Sequence, residues 1–312
     1  MVTIKNILCP IDFSDFSRRA FDRSVAVAKA AGATVTALHV APFSATPFYP
    51  YSEQRGLVAF TLADGDREKL NTELKRFLDV STPMGVPVIC EVADAPNVAD
   101  EILARADRLP ADLIVMGTHG RSGFQRLFLG SVTEKVLRTA QPAVLTIGVL
   151  PDAVPVEGGA FKRILCATDF SPCSIAAWHY AQSLADGSGA HLALLHVVEV
   201  PPVVVDPMIG PLIDVVKYQR LAETLCRERL HALVAGAPTG HPVEELVTAG
   251  KPYREILRMA DEWRSDLVVL GIHGRNPIER MLFGSTAEPV TRRATCPILT
   301  VRTEAHPNPT AV

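Results

Sequence analysis

The chain has 312 residues, 48% hydrophobic and 21% charged, the balance of a globular protein and not of a disordered one. At roughly 150 residues per domain, this length predicts two domains. With 31 Lys+Arg against 34 Asp+Glu the formal net charge is −3, which excludes a protein that grips nucleic acid or an anionic membrane by charge alone.

In chain order, short apolar runs alternate with segments of helical spacing. Strand Ile7–Ile11, helix Ser17–Ala30, strand Thr34–Val40, helix Asp66–Val80, strand Val86–Val92 and helix Val98–Arg108 come first. Strand Leu113–Met116, helix Val132–Ala140 and strand Ala143–Ile147 complete the set. Pro151, Pro155, Gly158 and Gly159 then mark a linker over 149–160, between a domain over 1–148 and a second over 161–303, with a tail over 304–312. In the second half, strands are predicted at Ile164–Thr168, His191–Val198, Val243–Val247, Leu267–Leu270 and Ile298–Val301. Strand then helix, repeated, predicts a parallel sheet with helices on both faces and right-handed crossovers. The most apolar stretch, Leu192 to Val205, is interrupted by His196, Glu199, Pro201 and Pro202 and cannot span a bilayer. Met1-Val2-Thr3-Ile4-Lys5 has no apolar signal core. Cys9, Cys90, Cys166, Cys173, Cys226 and Cys296 form no Cys-x-x-Cys pair, so reduced, mostly buried thiols in a cytoplasm are expected.

The two halves are copies. Ile7-Leu8-Cys9, Asp12-Phe13-Ser14, Ser17 and Leu38-His39-Val40 recur identically at a shift of 157, as Ile164-Leu165-Cys166, Asp169-Phe170-Ser171, Ser174 and Leu195-His196-Val197. Asp112–Arg121 faces Asp266–Arg275 at a shift of 154, and Gly130-Ser131 faces Gly284-Ser285. A period near 155 is a duplicated domain. Such sheets bind ligands beyond the carboxyl ends of their strands, where the strand order reverses. Two features fall at such ends: Asp12 and Asp169 after strand one, and glycine loops after strand four.

Those loops read Gly117-Thr-His-Gly120 and Gly271-Ile-His-Gly274, each followed by nine residues and Gly-Ser. Ser131 and Glu134, like Ser285 and Glu288, have the spacing of a capping box that opens a helix. Glycine permits close approach of a ligand to bare backbone, and a helix start offers free N–H groups to phosphate. The same residues also suit an ordinary turn and cap, so both readings stand. No Walker A sequence occurs, which excludes ordinary P-loop machinery.

Gly-x-x-Gly, nine residues and Gly-Ser after a strand ending Val-Met-Gly resembles the nucleotide-binding signature of the universal stress protein family. The Cys-Pro-Ile-Asp12 and Cys-Ala-Thr-Asp169 segments, the Leu-His-Val strand ends and Gly250-Lys-Pro-Tyr-Arg-Glu-Ile256 resemble it too. The resemblance covers nearly the whole chain, as two family domains in tandem. It implies two α/β, Rossmann-like (adenine nucleotide alpha hydrolase-like) domains, each a five-stranded parallel sheet of order 3-2-1-4-5. It also implies ATP binding, as in many members, a role in stress survival, and pairing of domains through the last strand; any Mg²⁺ is expected to be carried by the nucleotide.

Carried over residue by residue, Asp12 would sit beside the nucleoside and the backbone of Val40 would read the adenine edge. Gly117, Gly120, Arg121, Gly130, Ser131, Val132 and Thr133 would surround ribose and phosphates. The second copy offers Asp169, Val197, Gly271, Gly274, Arg275, Gly284, Ser285 and Thr286. There Ala287 replaces the hydroxyl of Thr133 and Pro289 removes an N–H, so the first site is expected to bind more tightly. The first copy, for its part, reads Asp94-Ala95-Pro96-Asn97-Val98 where the second has a clean Gly-x-Pro.

His39, His196, His119 and His273 lack neighbouring ligands at metal spacing, and no metal site is assigned. Cys173 opens a helix without a catalytic partner, and Arg126 and Arg280 read as surface or partner contacts. Ser14 and Ser171 lack a nucleophile elbow, so no catalytic residue is assigned. The expected function is an ATP-binding stress module that senses or interacts through an unidentified protein partner. The alternatives are a slow ATP hydrolase or nucleotidyl transferase on the same scaffold, or a dimerising module that binds no nucleotide. Nucleic acid and membrane are not expected partners. The expected assembly is an intrachain pseudo-dimer with the strands near Ala143–Ile147 and Ile298–Val301 facing each other, with a homodimer as a further option.

Overall fold

The computed structural model describes residues 2–42, 45–48, 56–59, 62–79, 85–119, 129–148, 160–199, 205–206, 210–211, 215–236, 240–272 and 284–303. The chain divides into two compact units, one built on Thr3–Val149 and one on Glu157–Val312. Of the expected linker only Ala160 is described, and the tail 304–312 lies outside the described residues.

The first unit runs β1 (Asn6–Pro10), α1 (Asp15–Ala31), β2 (Thr34–Pro42), a small hairpin β3 (Ala45–Phe48) and β4 (Gly56–Ala59), α2 (Asp64–Asp79), β5 (Val88–Ala95), α3 (Val98–Arg108), β6 (Leu113–Gly117), α4 (Ser131–Thr139) and β7 (Ala143–Ile147). Strand β1 pairs in parallel with β2 on one side and β6 on the other, while β2 continues to β5 and β6 to β7. The order β5-β2-β1-β6-β7 therefore reverses at the β1–β6 fork. The second unit repeats this with β8 (Arg163–Ala167), α5 (Pro172–Ser188), β9 (His191–Val198), the pair β10 (Val205–Asp206) and β11 (Gly210–Pro211), α6 (Val215–Ala235), β12 (Val243–Ala249), α7 (Pro252–Glu262), β13 (Leu267–Gly271), α8 (Ala287–Arg293) and β14 (Ile298–Val301). Its parallel order is β12-β9-β8-β13-β14.

The sequence forces this layout. The central strands are apolar on both faces because helices cover both, and Ile7, Leu8, Leu113, Ile114, Ile164 and Leu165 are fully buried. Helix α1 starts at Ser14, whose side chain accepts from Ser17 N, and stops at Gly32 with φ 68. Helix α5 uses Ser171 and Gly189 in the same way. Phe21 on α1 and Trp178 on α5 hold matching places in the two cores, both fully buried, a burial worth roughly 1.5–3 kcal/mol for a phenylalanine. The repeated Asp112 and Asp266 tie down strand starts: Asp112 accepts from the backbone of Lys5 and Asn6, Asp266 from Lys162 and Arg163.

Two differences from the expected elements have local causes. Strand β5 runs on to Ala95 instead of ending at Val92, because β2 itself continues and pairs Ala41 with Asp94 and Pro42 with Ala95. The Asp94 carboxylate that ends the apolar pattern is paired with Arg67 of α2. The hairpins β3–β4 and β10–β11 fall in proline-containing segments that carry no strand period.

Buried thiols give the fold an alkaline weakness. Desolvation pushes Cys9 and Cys296 up to about 12, and raises Cys166 as well. Since the folded values lie above the unfolded ones, the contribution of these neutral thiols is complete below about pH 8.5–9 and is lost as pH climbs toward the folded values. The unfolding free energy from urea titration is expected to fall above pH 9, by on the order of 1 kcal/mol per pH unit for each thiol. A Cys9→Ala/Cys296→Ala protein should be less stable at pH 8 but lose less between pH 9 and 11. Equal slopes for the two proteins would rule this out.

Candidate functional site

The fork between β1 and β6 brings two loops to the same edge. After β1 the chain passes through Asp12 to Phe13, whose φ of 62 is left-handed and uncommon for a bulky residue. Asp12 Oδ1 accepts from Ser14 N at 3.0 Å and from Ser14 Oγ at 2.6 Å. Both bonds fall on one oxygen, so the turn itself does not engage Oδ2. Ser14 in turn accepts from Ser17 N at 3.2 Å, which fastens the turn to the start of α1.

The β6 loop is bound to that helix by steric fit. A Cβ on Gly117 would lie 2.7 Å from Phe16 Cβ and 3.1 Å from the Phe16 carbonyl carbon. Gly117 is therefore required by the packing of α1 across the end of β6. Beyond it, Thr118 N donates to Ile147 O at 3.0 Å, and Thr118 Oγ1 lies 2.9 Å from His119 Nδ1. The His119 ring packs against Phe16 at 5.3 Å. The chain returns at Gly130, whose N–H donates to Thr118 O at 2.8 Å, and enters α4.

Helix α4 has Gly130 as its N-cap, with no side-chain cap. The expected Ser131–Glu134 capping box is thus not formed: Ser131 is already the first helical residue, and Glu134 pairs with Arg138 at 2.8 Å. Helix geometry leaves the N–H groups of Ser131, Val132 and Thr133 without intrahelical acceptors, at the positive end of the helix dipole. Thr133, expected to offer its hydroxyl to phosphate, donates it to Gly117 O at 2.9 Å and is buried. It bolts the first turn of α4 to the end of β6. Val40 is buried near the end of β2, opposite Ala93 of β5.

The second copy reproduces the turn and alters the loop. Asp169 Oδ1 accepts from Ser171 N at 2.9 Å, and Phe170 again has φ 62. Gly271 is held open by α5, since a Cβ there would lie 2.8 Å from the Cys173 carbonyl carbon and from Ser174 N. Gly284 is more confined than its counterpart: its Cβ would meet Ile272 O at 2.3 Å, whereas one on Gly130 would lie 3.4 Å from Thr118 O. Helix α8 starts only at Ala287, with Thr286 as a helical N-cap and no side-chain cap, and is seven residues long. Ser285 and Thr286 sit in a turn before it, so the Ser285–Glu288 capping box is also not formed; Glu288 pairs with Arg292 at 3.0 Å. Val197 is half-buried on β9, opposite Thr248.

Of the sequence-derived site residues, Asp12, Val40, Gly117, Gly130, Ser131, Val132 and Thr133 thus belong to the carboxyl edge of the first copy. Asp169, Val197, Gly271, Gly284, Ser285 and Thr286 lie at the matching places in the second. Gly120, Arg121, Gly274, Arg275, His273, Arg126 and Arg280 lie outside the described residues. Among the described residues, no group of three or more His, Cys, Asp or Glu is arranged to hold a metal ion, and no helix is long and apolar enough to cross a membrane. A cavity of about 1020 Å³ opens between Phe13 and the outer face of α2, lined by Phe77, Glu68, Lys69 and Arg76 among others. His39 and His196, which the sequence offers only as candidate metal ligands, instead lie against the residues of the turn. Their recurrence at the same shift as Phe13 and Phe170 was the available signal.

A parallel α/β domain in duplicate, with a glycine loop at each switch point, is an architecture that places ligands at its carboxyl edge. The model of the universal stress protein family matches residues 3–148 and again 160–302, and the chain belongs to that family as a tandem of two domains. A universal stress protein of Mycobacterium tuberculosis is 29% identical over 243 residues, 77% of either chain. Another from Methanocaldococcus jannaschii is 34% identical over 143 residues, 46% of this chain and 81% of its own. A solved universal stress protein from Archaeoglobus fulgidus superposes with a TM-score of 0.60 at 22% identity, covering 95% of this chain and 96% of that one. A putative universal stress protein from Pseudomonas aeruginosa gives 0.67 at 18%, covering 96% and 93%. At these identities the two structures bear on the fold alone.

The two first-copy glycines should respond differently to a methyl group. Gly117→Ala must displace Phe16 and is expected to cost about 1–3 kcal/mol in denaturant unfolding. Gly130→Ala, with room at 3.4 Å, should cost no more than the roughly 1 kcal/mol lost on replacing a good N-cap residue. Equal losses would show that the Phe16 contact does not set the requirement.

Proposed function

We propose that the chain is a stress-response protein that binds adenine nucleotide, with ATP as the expected ligand, at the carboxyl edge of its first copy. Binding would govern its contact with a protein partner. The observation that supports this most is the uncapped start of α4, which presents three amide donors at the same carboxyl edge that carries Asp12. A helix start without a side-chain cap suits a phosphate chain, because anion, dipole and free N–H groups are complementary. Mg²⁺ would arrive with the nucleotide.

The first copy is the tighter site in this reading. The Thr133 hydroxyl is not the reason, since its proton is given to Gly117 O. What favours the first copy is the bolt itself: it fixes the start of a nine-residue helix against β6. Ala287 has no hydroxyl to do so, and α8 begins two residues later in the shared register.

Ser131→Pro is the sharpest test. Proline is well tolerated at the first helical position, and Gly130 before it is already extended at ψ 143. The change removes one amide donor and one hydroxyl while the helix keeps its shape. Calorimetry should show wild type binding one ATP more tightly than a second. Ser131→Pro should weaken the tighter event by roughly ten- to hundredfold, the worth of a hydrogen bond to a charged group, with the unfolding midpoint unchanged. Absence of binding to wild type at millimolar ATP, or unaltered binding by the variant, would overturn the proposal.

A further inference from the structure

The residue before each aspartate is stitched to the neighbouring strand in an unusual way. Ile11 N donates to Leu38 O at 2.8 Å, as strand pairing would have it. Its carbonyl is taken by a side chain, with His39 Nδ1 2.7 Å from Ile11 O. A carbonyl only accepts, so Nδ1 carries a proton. Phe13, two residues on, lays its ring on the same imidazole with 4.6 Å between centroids. His39 thus grips the Asp12 turn from both sides: by a hydrogen bond before the aspartate and by ring contact after it.

The second copy repeats each part. Thr168 N donates to Leu195 O at 2.8 Å, His196 Nδ1 lies 2.7 Å from Thr168 O, and Phe170 packs on His196 at 4.7 Å. The surroundings differ. Phe77 meets Phe13 edge-on at 5.4 Å, whereas the Arg229 guanidinium lies 4.2 Å over the Phe170 ring. The turn keeps φ 62 at both phenylalanines in spite of that change. The outer neighbours therefore do not set the shared shape; what the two copies have in common is the histidine clamp before the aspartate and the bond from the aspartate Oδ1 to the serine N–H after it.

We propose that His39 is a positioning residue of the first ligand site. Its Nδ1–H holds the Ile11 carbonyl and fixes the left-handed turn that presents the Asp12 carboxylate, and His196 does the same for Asp169. This rests on the reading that Asp12 borders a bound nucleotide. The proton on Nδ1 is the operative feature, because a left-handed phenylalanine is disfavoured and relaxes once the Ile11 carbonyl just before Asp12 is released.

Three variants of the full chain separate the donor from the bulk. His39→Asn places an amide donor near the Nδ1 position, His39→Gln places it near Nε2, and His39→Leu has none. Two readouts are needed: ATP affinity by calorimetry in the presence of Mg²⁺, and hydrogen exchange of the Phe13 and Ser14 amides without ligand. Leu and Gln should weaken binding about tenfold and speed exchange, while Asn should stay within about threefold of wild type. If His39→Leu does not fold, the Asn and Gln pair still decides the point. Equal weakening by Asn and Gln, or wild-type affinity in Leu, would overturn the positioning role. If wild type binds no ATP, the nucleotide reading fails, and the exchange rates alone then decide the clamp: unchanged rates in Leu and Gln would overturn it too.

Discussion

The contact between α1 and the end of β6 is the constraint on which the rest of the first copy depends. Helix α1 crosses the strand so closely that position 117 has no room for a side chain: a Cβ would stand 2.7 Å from Phe16. That proximity joins the loop carrying Asp12, which leads into α1, to the loop that leaves β6. The Gly117 carbonyl then receives the Thr133 hydroxyl, which sets the start of α4. Three segments distant in sequence meet at one residue that contributes no side chain. The geometry of the edge is a consequence of packing before it is a property of any ligand.

This explains what was legible in the sequence and what was not. Parallel α/β architecture could be read from strands without polar alternation, because burial on both faces leaves that signature. The duplication could be read because identical residues recur at one shift. The position of Gly117 was legible but its cause was not: a glycine kept free for a ligand and a glycine kept free for Phe16 look alike in one dimension. The capping box failed for a related reason. Ser131 and Glu134 have the right spacing, yet Gly130 can serve as N-cap, and Glu134 finds Arg138 on the same helix face. Local spacing proposes a cap; the tertiary bond from Thr133 to Gly117 decides where the helix begins.

The two copies show how one loop can diverge while its frame stays fixed. Position 16 is phenylalanine in the first copy and Cys173 in the second, yet both glycines remain closed to a Cβ because backbone atoms of α5 approach as nearly as Phe16 does. The loss of the Thr133 hydroxyl at Ala287 goes with a later helix start and with a loop return pressed against Ile272 O. Gly284 is therefore a steric requirement, while Gly130 retains ordinary contact distance. A substitution made at both positions would not be the same experiment twice.

The turn after strand one resolves a conflict between strand pairing and function at the edge. A strand that ends must leave its last carbonyl without a rung, and at buried Ile11 and Thr168 a carbonyl without a partner is costly. A left-handed phenylalanine adds about 1–2 kcal/mol more. His39 and His196 meet both needs with one ring, supplying the missing rung through Nδ1 and a tilted ring contact for the phenylalanine. An asparagine would supply the first and a leucine the second, but neither would supply both. The same ring fixes where the aspartate stands relative to the start of α1, so the placement of Asp12 follows from the end of β2 and not from its own loop alone.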